Sequence, residues 1–277
     1  MGANDVMQVK KADLVMWAKN GASTLPLVLK RADEVLPSEV IMKKIFVDDH
    51  STDESREIAK EFGWTVYPNE KGGVGCGANT ALRHVTSEDF ISLEQDILLA
   101  RNWFGKVSKH LEKEDVAVAQ GWRFSDHPVL RKLDEFAFEK SNFNLNSIDN
   151  TMYKTKIVKS LGGFVEDIKY GAVDTHLRRR IENLGLRWII DPTVISIHLR
   201  GGGLKEQMGR LYLYGLYAPW EEGQFIAETK TKRAIKIALL SPLRAFEIAV
   251  RKRCPQAMYY YPLMRFSFMK GALKRGV

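Results

Sequence analysis

The sequence lacks the features that mark several large classes of protein. It has only two cysteines, Cys76 and Cys254, without metal-ligand spacing or a disulfide framework, which fits a reducing compartment. No run of about 18 or more apolar residues occurs, so we expect no membrane-spanning helix. Residues Met1–Lys11 lack the apolar core of a signal peptide, and no internal repeat or low-complexity tract is present. These absences favour a folded, cytoplasmic protein.

What is present is an ordinary globular composition with unevenly placed charge. The 277 residues suffice for one large α/β domain, with or without an appendage. Residues 199–277 carry 15 Lys and Arg against 5 Asp and Glu, whereas residues 1–198 carry 27 against 29. The whole net charge of +8 therefore comes from the last third, which predicts attachment to an anionic partner.

Short apolar runs alternate with amphipathic segments over the first hundred or so residues. This alternation predicts right-handed βαβ units and a mostly parallel, Rossmann-like sheet flanked by helices. Four strands are predicted, at Asp13–Ala18, Lys44–Val47, Trp64–Tyr67 and Phe90–Leu93. Ligands of such sheets bind at the carboxyl ends of the strands. The polar segments that follow the strands should therefore meet in one crevice; they are Lys19-Asn20, Asp48–Asp53, Lys71–Asn79 and Glu94–Asp96.

Two carboxylates, Glu94 and Asp96, follow the fourth strand one residue apart. In an extended chain their side chains point to the same face, where they repel each other. A divalent cation removes that repulsion, and carboxylate oxygens suit Mg²⁺ or Mn²⁺. The alternative is a strand that simply ends in a polar loop, and the pair alone does not decide between the two.

The glycine-rich loop Gly72–Asn79 precedes a helix predicted from about Ala78 to Val85 and permits two interpretations. From Gly73 to Ala78 it matches G-x-G-x-x-A between a strand and a helix, with acids about 20 residues downstream, as in dinucleotide-binding sites. A NAD-type oxidoreductase is therefore an alternative. Against it, the match lies in the third βα unit and leaves the turn Asp48–Asp53 without a role. A tight turn rich in glycine explains the loop at least as well.

Several motifs, taken in order, resemble family 2 glycosyltransferases of the GT-A fold. Val47–Asp53 is similar to the V-D-D-G-S-T-D turn of that family, and Glu94–Asp96 to its D-x-D motif. Ser160–Glu166 is similar to its G-G-F-x-E segment near the acceptor, and Asp174 opens a stretch similar to E-D-x-x-L…R…G. The chain departs from the family pattern at three positions, His50 for glycine, Glu94 for aspartate and Val173 for a common acid.

The resemblance implies a role for each motif. Asp174 would be the catalytic base, and Asp96 the metal ligand, with Glu94 and His198 as further candidates. The nucleotide-sugar would lie against Ala18, Lys19, Asn20, Asp48, Asp49, Lys71, Gly75, Asn79, Glu94 and Gln95. The acceptor side would include Gly163, Phe164 and Arg210.

The chemistry of an inverting transferase asks for these groups. A base takes the proton of the attacking acceptor hydroxyl, and a cation with basic side chains stabilises the leaving diphosphate. Taken alone, Asp174 could be an ordinary helix N-cap, and His198 a structural histidine after a strand predicted at Thr193–Ile197. Gln207–Leu211 resembles the Q-x-x-R-W of processive synthases, but leucine stands where tryptophan is usual, so a processive synthase is not favoured.

The resemblance covers residues 12–200, and the remainder is interpreted from physical chemistry alone. We assign residues 1–200 to the GT-A catalytic domain and residues 201–277 to a basic, amphipathic helical extension. Lys230–Arg253 mixes basic and apolar residues around Pro242, which should start or break a helix. Basic helices with aromatic residues suit an anionic bilayer surface. The alternative is that these helices pack on the core and keep their charges in solvent.

The sequence therefore predicts a metal-dependent inverting glycosyltransferase of glycan biosynthesis that uses Mg²⁺ or Mn²⁺. Its donor would be a UDP- or GDP-sugar, and its acceptor a hydroxyl or phosphate on a lipid-linked molecule, such as a polyprenyl phosphate or lipid-linked glycan. We expect it to lie peripherally on the inner face of the cell membrane. Nucleic acid is not expected as a partner, because the crevice is acidic. The alternatives are the oxidoreductase and a non-catalytic sugar-nucleotide-binding protein.

Overall fold

A single mixed sheet organises the protein. The computed structural model describes residues 11–143, 145–167, 173–201, 203–217 and 230–274. The strands are β1 (Ala12–Ala18), β2 (Ile41–Asp48), β3 (Thr65–Pro68), β4 (Asp89–Leu93), β5 (Ile97–Leu98), β6 (Val116–Ser125), β7 (Asn150–Lys154) and β8 (Arg187–His198). Their order across the eight-stranded sheet is β3-β2-β1-β4-β7-β6-β8-β5.

Most neighbouring strands run parallel, as the βαβ alternation predicts. Strands β3, β2, β1 and β4 are parallel to one another, and β6 is parallel to β8. Strand β7 is antiparallel to both β4 and β6, and the short β5 is antiparallel to β8. The fold is thus α/β with a mixed sheet, and its parallel part begins with the four strands predicted from sequence.

Helices cover both faces of the sheet. Within the described ranges they are α1 (Leu25–Val35), α2 (Ser55–Glu61), α3 (Val74–His84), α4 (Trp103–Leu111), α5 (Pro128–Lys140), α6 (Thr155–Ser160), α7 (Val173–Asn183), α8 (Gly203–Tyr217), α9 (Lys230–Leu239), α10 (Ser241–Arg251) and α11 (Ala257–Lys274). None of the helices in the described residues is both long and apolar enough to cross a bilayer.

The alternation of side chains along β1 separates two hydrophobic layers. Leu14 and Met16 pack on one side with α1 and α4, whereas Val15 and Trp17 pack on the other side with α3 and α7. Successive strand residues point to opposite faces, so a strand buried on both faces is apolar throughout. The exception is Asp13, which is fully buried and accepts hydrogen bonds from the backbone of residues 86 and 87.

Two local expectations are wrong. Helix α3 begins at Val74, inside the glycine-rich loop, rather than at about residue 78. The residues Glu94–Asp96 form a turn between β4 and β5 instead of continuing the strand. The extended-chain geometry proposed for the two carboxylates therefore does not apply, and the turn brings them to the crevice instead.

The C-terminal helices pack against the rest of the protein. Helices α10 and α11 share an apolar cluster with α5, and α10 starts with Pro242 in its first turn, as predicted. Helices α8 and α11 touch backbone to backbone, because a methyl group on Gly215 would overlap Phe268 and one on Gly271 would overlap Tyr212. The boundary placed at residue 200 stays a prediction about how the chain is divided.

Candidate active site

A cavity of about 620 Å³ opens where the polar segments after the strands meet. The ends of β1, β2, β4 and β8 all contribute to it, as expected for ligand sites at the carboxyl ends of parallel strands. The predicted site residues that line it are Ala18, Lys19, Asp49, Glu94, Gln95, Asp96, Asp174, His198 and Arg210. Residues from separate motifs are thus brought together as the sequence predicts.

The other predicted site residues lie outside the lining of this cavity. Asn79 and Gly163 face a separate depression of about 380 Å³, and Phe164 is buried against Trp17, which does line the cavity. The remaining ones are Asn20, Asp48, Lys71 and Gly75. Their roles as ligand-binding residues stay predictions, and most have a structural role that the contacts explain.

The loops after β1 and β2 are tied together by their own polar groups. The backbone N–H of Asn20 donates to Ser51 Oγ at 2.9 Å, and the N–H of Thr52 donates to Asn20 Oδ1 at 2.8 Å. The buried carboxylate of Asp48 accepts from the N–H of Ser51. His50 has φ 61°, a left-handed conformation that glycine adopts without a steric cost. This conformation explains why glycine is usual at this position of the V-D-D-G-S-T-D turn.

The glycine-rich loop serves close packing in this fold. A side chain on Gly75 would overlap the backbone of Val165, and Gly73 donates its N–H to the carboxylate of Asp49 at 3.3 Å. Asn79 holds the same partner segment, since its Nδ2 donates to Phe164 O and its Oδ1 accepts from Phe164 N, both at 2.8 Å. The glycines are therefore explained without a bound dinucleotide.

Gln95 locks the acidic turn against the loop after β1. Its Oε1 accepts from Lys19 N at 2.9 Å, and its Nε2 donates to Lys19 O at 3.0 Å. These two hydrogen bonds hold the turn at Gln95, the residue between the two acids Glu94 and Asp96. The acidic turn is therefore held rigidly before any ligand binds.

Asp96 and His198 form the polar centre of the cavity. Asp96 Oδ2 and His198 Nε2 are 3.1 Å apart, and Arg200 Nε donates to His198 Nδ1 at 3.1 Å. Neutral His198 therefore carries its proton on Nε2. Burial lowers the pKa of His198. Burial also opposes ionisation of Asp96, but its bond to His198 and the positive charge of Arg210 keep the pKa of Asp96 below its ordinary value.

This pair offers donor atoms that suit a divalent cation. Asp96 Oδ1 is buried and has no hydrogen-bond partner among the described residues. An octahedral Mg²⁺ holds ligands at roughly 2.1 Å, which places neighbouring donors about 3 Å apart. Among the described residues, no group of three or more His, Cys, Asp or Glu could hold a metal ion. A cation here would take its remaining ligands from water and substrate oxygens, as Mg²⁺ commonly does.

A second group of charges surrounds Arg123, which the sequence analysis missed. Arg123 forms an ion pair with the buried Asp149, and both line the cavity. Burial, Asp149 and Asp96 raise the pKa of Glu94 well above its ordinary value. One signal was available, since Arg123 is a charged residue within the otherwise uncharged strand β6. Asp149 precedes β7 and offered no comparable signal.

Asp174 lies in the first turn of α7 with its side chain half-buried. Burial raises the pKa of Asp174 to about 6, against the opposing effects of the Thr175 N–H, which donates at 2.8 Å, and of Arg123. A carboxylate with a raised pKa is a stronger base than an ordinary aspartate and remains mostly ionised at neutral pH. Asp174 thus has the electrostatic properties that a general base needs.

The C-terminal helices supply one wall of the cavity, and Arg210 is the one residue of this wall that was predicted from the sequence. The wall residues are Gln207, Arg210, Leu211 and Tyr214 of α8 and Met264 of α11. Gln207 is buried, and within the part of the chain that the structure describes its Nε2 has no hydrogen-bond partner. The wall therefore combines an apolar surface with a donor that has no acceptor among these residues.

A curled α/β sheet of the GT-A type, with an acidic turn and a further carboxylate at one crevice, is typical of a nucleotide-sugar transferase. Residues 13–164 match the family model described as glycosyl transferase family 2. That match spans more than half of the chain, so the protein belongs to glycosyl transferase family 2 and is a glycosyltransferase. A comparison with curated protein sequences found no match.

Solved structures share the fold. The mannosyltransferase PcManGT from Pyrobaculum calidifontis, in complex with GDP-Man and Mn²⁺, is 18% identical over 97% of this chain and 88% of that chain, with a TM-score of 0.69. S. aureus TarS 1-349 in complex with UDP-GlcNAc is 13% identical over 96% of this chain and 92% of that chain, with a TM-score of 0.55.

A third structure is glucosyl-3-phosphoglycerate synthase from Mycobacterium tuberculosis in complex with Mn²⁺, UDP and glucosyl-3-phosphoglycerate. It is 18% identical over 71% of this chain and 74% of that chain, with a TM-score of 0.51. At these identities the likeness concerns the fold alone. All three chains are matched over most of their length, so the fold similarity extends over more than half of each chain.

Proposed function

We propose that this glycosyltransferase is metal-dependent and inverting, and that it transfers a sugar from a nucleoside-diphosphate donor to a lipid-linked acceptor. The observation that carries the proposal is one cavity with two unlike carboxylates. Asp96 has a lowered pKa and a buried oxygen without a partner, whereas Asp174 has a pKa raised to about 6. Carboxylates whose environments separate their pKa values in this way suit different roles, here a metal ligand and a base.

The donor would lie along the loops after β1 and β2. Asp49 lines the cavity and is held by Asn69 Nδ2 at 2.9 Å, so its carboxylate is oriented before a ligand arrives. GDP-Man and UDP-GlcNAc are bound in two of the similar structures, which supports a UDP- or GDP-sugar here. The main-chain groups of Lys19 are already paired with Gln95, so Ala18 and Lys19 would contribute shape to this pocket.

A divalent cation, Mg²⁺ or Mn²⁺, would bind at Asp96 and His198. Two of the similar structures contain Mn²⁺, and the unpaired Oδ1 of Asp96 offers it a ligand. When bound, such an ion neutralises the negative charge that develops on the leaving diphosphate. Histidine binds metals as the neutral imidazole, so with a metal at Nε2 the His198 proton would lie on Nδ1 and the hydrogen bond from Arg200 Nε would be replaced. Arg210, 4.0 Å from Asp96 Oδ2, adds positive charge on the same side.

Asp174 would take the proton of the acceptor hydroxyl. The acceptor oxygen forms its bond to the anomeric carbon while the bond from that carbon to the diphosphate oxygen breaks, which inverts the configuration. The released proton ends on the Asp174 carboxylate. Arg123 keeps this carboxylate ionised by its positive charge, and Asp149 balances that charge through the buried ion pair. An acceptor that is already an ionised phosphate would not need this base.

The apolar wall of the cavity supports a lipid-linked acceptor. Leu211, Tyr214 and Met264 come from helices of the basic C-terminal third, so the catalytic crevice borders the most basic part of the chain. An acceptor with an anionic head and an apolar tail matches such a border. Peripheral attachment to an anionic membrane is part of the same proposal.

Calorimetric titration tests the donor and the metal together. UDP, GDP and NAD are titrated with and without Mn²⁺ against the wild type, Asp96→Asn and Asp174→Asn. We expect one of the uridine or guanosine nucleotides to bind only with Mn²⁺, and Asp96→Asn to lose that binding. Asp174→Asn should keep the binding but lose turnover. Metal-independent NAD binding, or binding untouched by Asp96→Asn, would contradict the proposal.

A further inference from the structure

Helix α10 has apolar residues on two opposite sides. On its inner side, Ala245 and Ile248 are fully buried, and Ile248 joins the apolar cluster shared with α5 and α11. On its outer side, Leu243 is 72% exposed, Phe246 62% and Val250 60%. These three residues have the spacing i, i+3, i+7 and therefore lie on one face of the helix. A helix that is apolar on both sides is normally covered on both.

The outer face extends beyond α10. Leu239 and Leu240, at the end of α9, are 67% and 50% exposed and continue the same spacing toward the N-terminus. We refer to Leu239, Leu240, Leu243, Phe246 and Val250 as the α10 outer face. An exposed apolar patch rimmed by polar residues indicates an interaction site, whereas single exposed apolar residues do not.

A rim of basic residues flanks this face. Residues 230–253 contain eight Lys and Arg and one acid, Glu247. That acid is already paired with Lys140 at 2.9 Å, with Arg244 at 2.7 Å and with Arg251 at 3.1 Å. Arg244 and Arg251 keep almost half of their side-chain surface exposed, and Arg253 is exposed as well. Glu139 of α5 also pairs with Arg251 and Lys252, so part of this charge is balanced, and the segment presents apolar side chains beside the remaining net positive charge.

Apolar side chains flanked by positive charge favour some partners of the α10 outer face over others. A second copy of the chain on the same face would bring two cationic rims together, which like-charge repulsion disfavours. An anionic lipid surface instead offers negative headgroups to the rim and an apolar interior to the leucine, phenylalanine and valine side chains. Tyr259, at the start of α11, is 51% exposed and is of the residue type that favours the interface between headgroups and hydrocarbon.

We propose that the α10 outer face docks the protein on a membrane that contains anionic lipids, with α10 lying in the interfacial plane. The inference rests on the membrane attachment in the proposed function and assigns it to named side chains. It involves none of the residues that line the cavity. Docking through this face also explains why the most exposed aliphatic and aromatic side chains of the described C-terminal helices gather along about three helical turns at the end of α9 and in α10.

The test compares vesicle binding of two double variants. Sedimentation uses phosphatidylcholine vesicles with and without phosphatidylglycerol. Leu243→Ser with Phe246→Ser alters the outer face at positions exposed enough to leave the fold intact, and Leu27→Ser with Met42→Ser alters side chains of similar exposure on α1 and β2. We expect the first variant to lose at least about tenfold in partitioning to anionic vesicles, because each side chain removes apolar area from the lipid. The second should bind like the wild type.

Salt dependence, oligomeric state and nucleotide binding of the variants show how a negative result in the vesicle assay is interpreted. Binding should weaken with added salt, since the rim interacts electrostatically. Equal partitioning of both double variants, or no preference for phosphatidylglycerol, would overturn the inference. So would a concentration-dependent dimer that the outer-face variant abolishes, because the face would then belong to a second copy. Mn²⁺-dependent nucleotide binding should persist in both variants, so its absence from the wild type would count against the proposed function and not against this surface.

Discussion

The carboxylate of Asp96 accepts a hydrogen bond from the imidazole of His198 over 3.1 Å, although 102 positions separate the two residues in the sequence. Their backbones explain the pairing. Strand β5 pairs with β8 so that Ile97 faces His198, and the N–H of Leu199 donates to Asp96 O at 2.8 Å. The acidic turn is thereby attached to the last strand of the sheet. This attachment gives a metal ion two donors on a rigid frame.

His198→Ala should weaken Mn²⁺-dependent nucleotide binding by at least roughly 10–100-fold, because that is the effect of losing a residue that only orients a metal ligand and His198 would itself be a ligand. The substitution removes the only imidazole that contacts Asp96 among the described residues. Calorimetric titration with Mn²⁺ and the preferred nucleotide measures the change. His84→Ala is the matched control, because His84 stacks on Tyr67 away from the cavity lining and its loss should leave binding unchanged.

Asp174→Asn should abolish turnover and stabilise the protein at neutral pH. The folded protein holds the Asp174 proton more tightly than the unfolded chain, since the pKa rises from 3.8 to about 6. Ionisation therefore costs stability as the pH rises through this window, about 3 kcal/mol once complete. Denaturant unfolding at pH 5 and pH 8 measures the effect, which should be larger at pH 8. Turnover of the wild type should fall as the pH drops below about 6.

Asp53→Asn is a control for which we expect a change in stability of the opposite sign. Burial raises its pKa, but hydrogen bonds from Ser55 and from the backbone of Ala22 outweigh that effect and hold the pKa of Asp53 below 3.8. Its contribution to stability is therefore present above the unfolded pKa and lost as the pH falls through the lowered value. Asp53→Asn should destabilise the protein at neutral pH. If both variants changed stability in the same direction, the separate assignments of the two carboxylates would be wrong.

The residues near each strand end could be predicted, because local patterns determine them. The alternation of strands and helices places Asp49, Asp96 and His198 at one edge of a parallel sheet whatever the details of packing. The resemblance to the family added Asp174, which lies in a helix start that would otherwise be an ordinary cap. These residues indeed line one cavity.

The rest of the site depends on pairings that no local pattern determines. Arg123 and Asp149 meet because β6 and β7 are neighbouring strands, and β7 was not predicted at all. The side chains of α8 reach the cavity because α8 packs closely against α11, across more than 50 residues of sequence. Amphipathic patterns predict that such helices exist but not which surface they cover. Tertiary contacts therefore decide the acceptor side.

Gly215→Ala and Gly271→Ala should each destabilise the protein by about 1–3 kcal/mol, the range for overpacking a close contact, or by more. An added methyl group would overlap the backbone of the partner helix, so α8 and α11 must move apart. That shift moves Gln207 and Arg210 and should lower turnover as well. Thermal unfolding and turnover measure both effects. Gly209→Ala on α8 is the control, since a methyl group there meets no atom within 4 Å.

The control should change stability in the other direction. Alanine in an open helical position stabilises a helix by about 0.5–1 kcal/mol relative to glycine, because the unfolded chain loses freedom. Gly209→Ala should therefore unfold at a slightly higher temperature than the wild type. A loss of stability in Gly209→Ala equal to that of Gly215→Ala would show that helix α8 does not tolerate substitution generally and that close packing is not the cause.

Gln207→Met should leave the protein at least as stable as the wild type and yet impair its activity. Gln207 is 4% exposed, and no described residue accepts from its Nε2, so the buried donor costs about 1–3 kcal/mol until a ligand oxygen accepts from it. Methionine keeps the length of the side chain and removes that donor. Gln95→Met is the matched substitution, because Gln95 loses two hydrogen bonds to Lys19 and should destabilise the acidic turn. Denaturant unfolding with steady-state kinetics separates the two. If Gln207→Met were destabilised like Gln95→Met, with KM and kcat unchanged, then Gln207 would serve the fold and not the ligand.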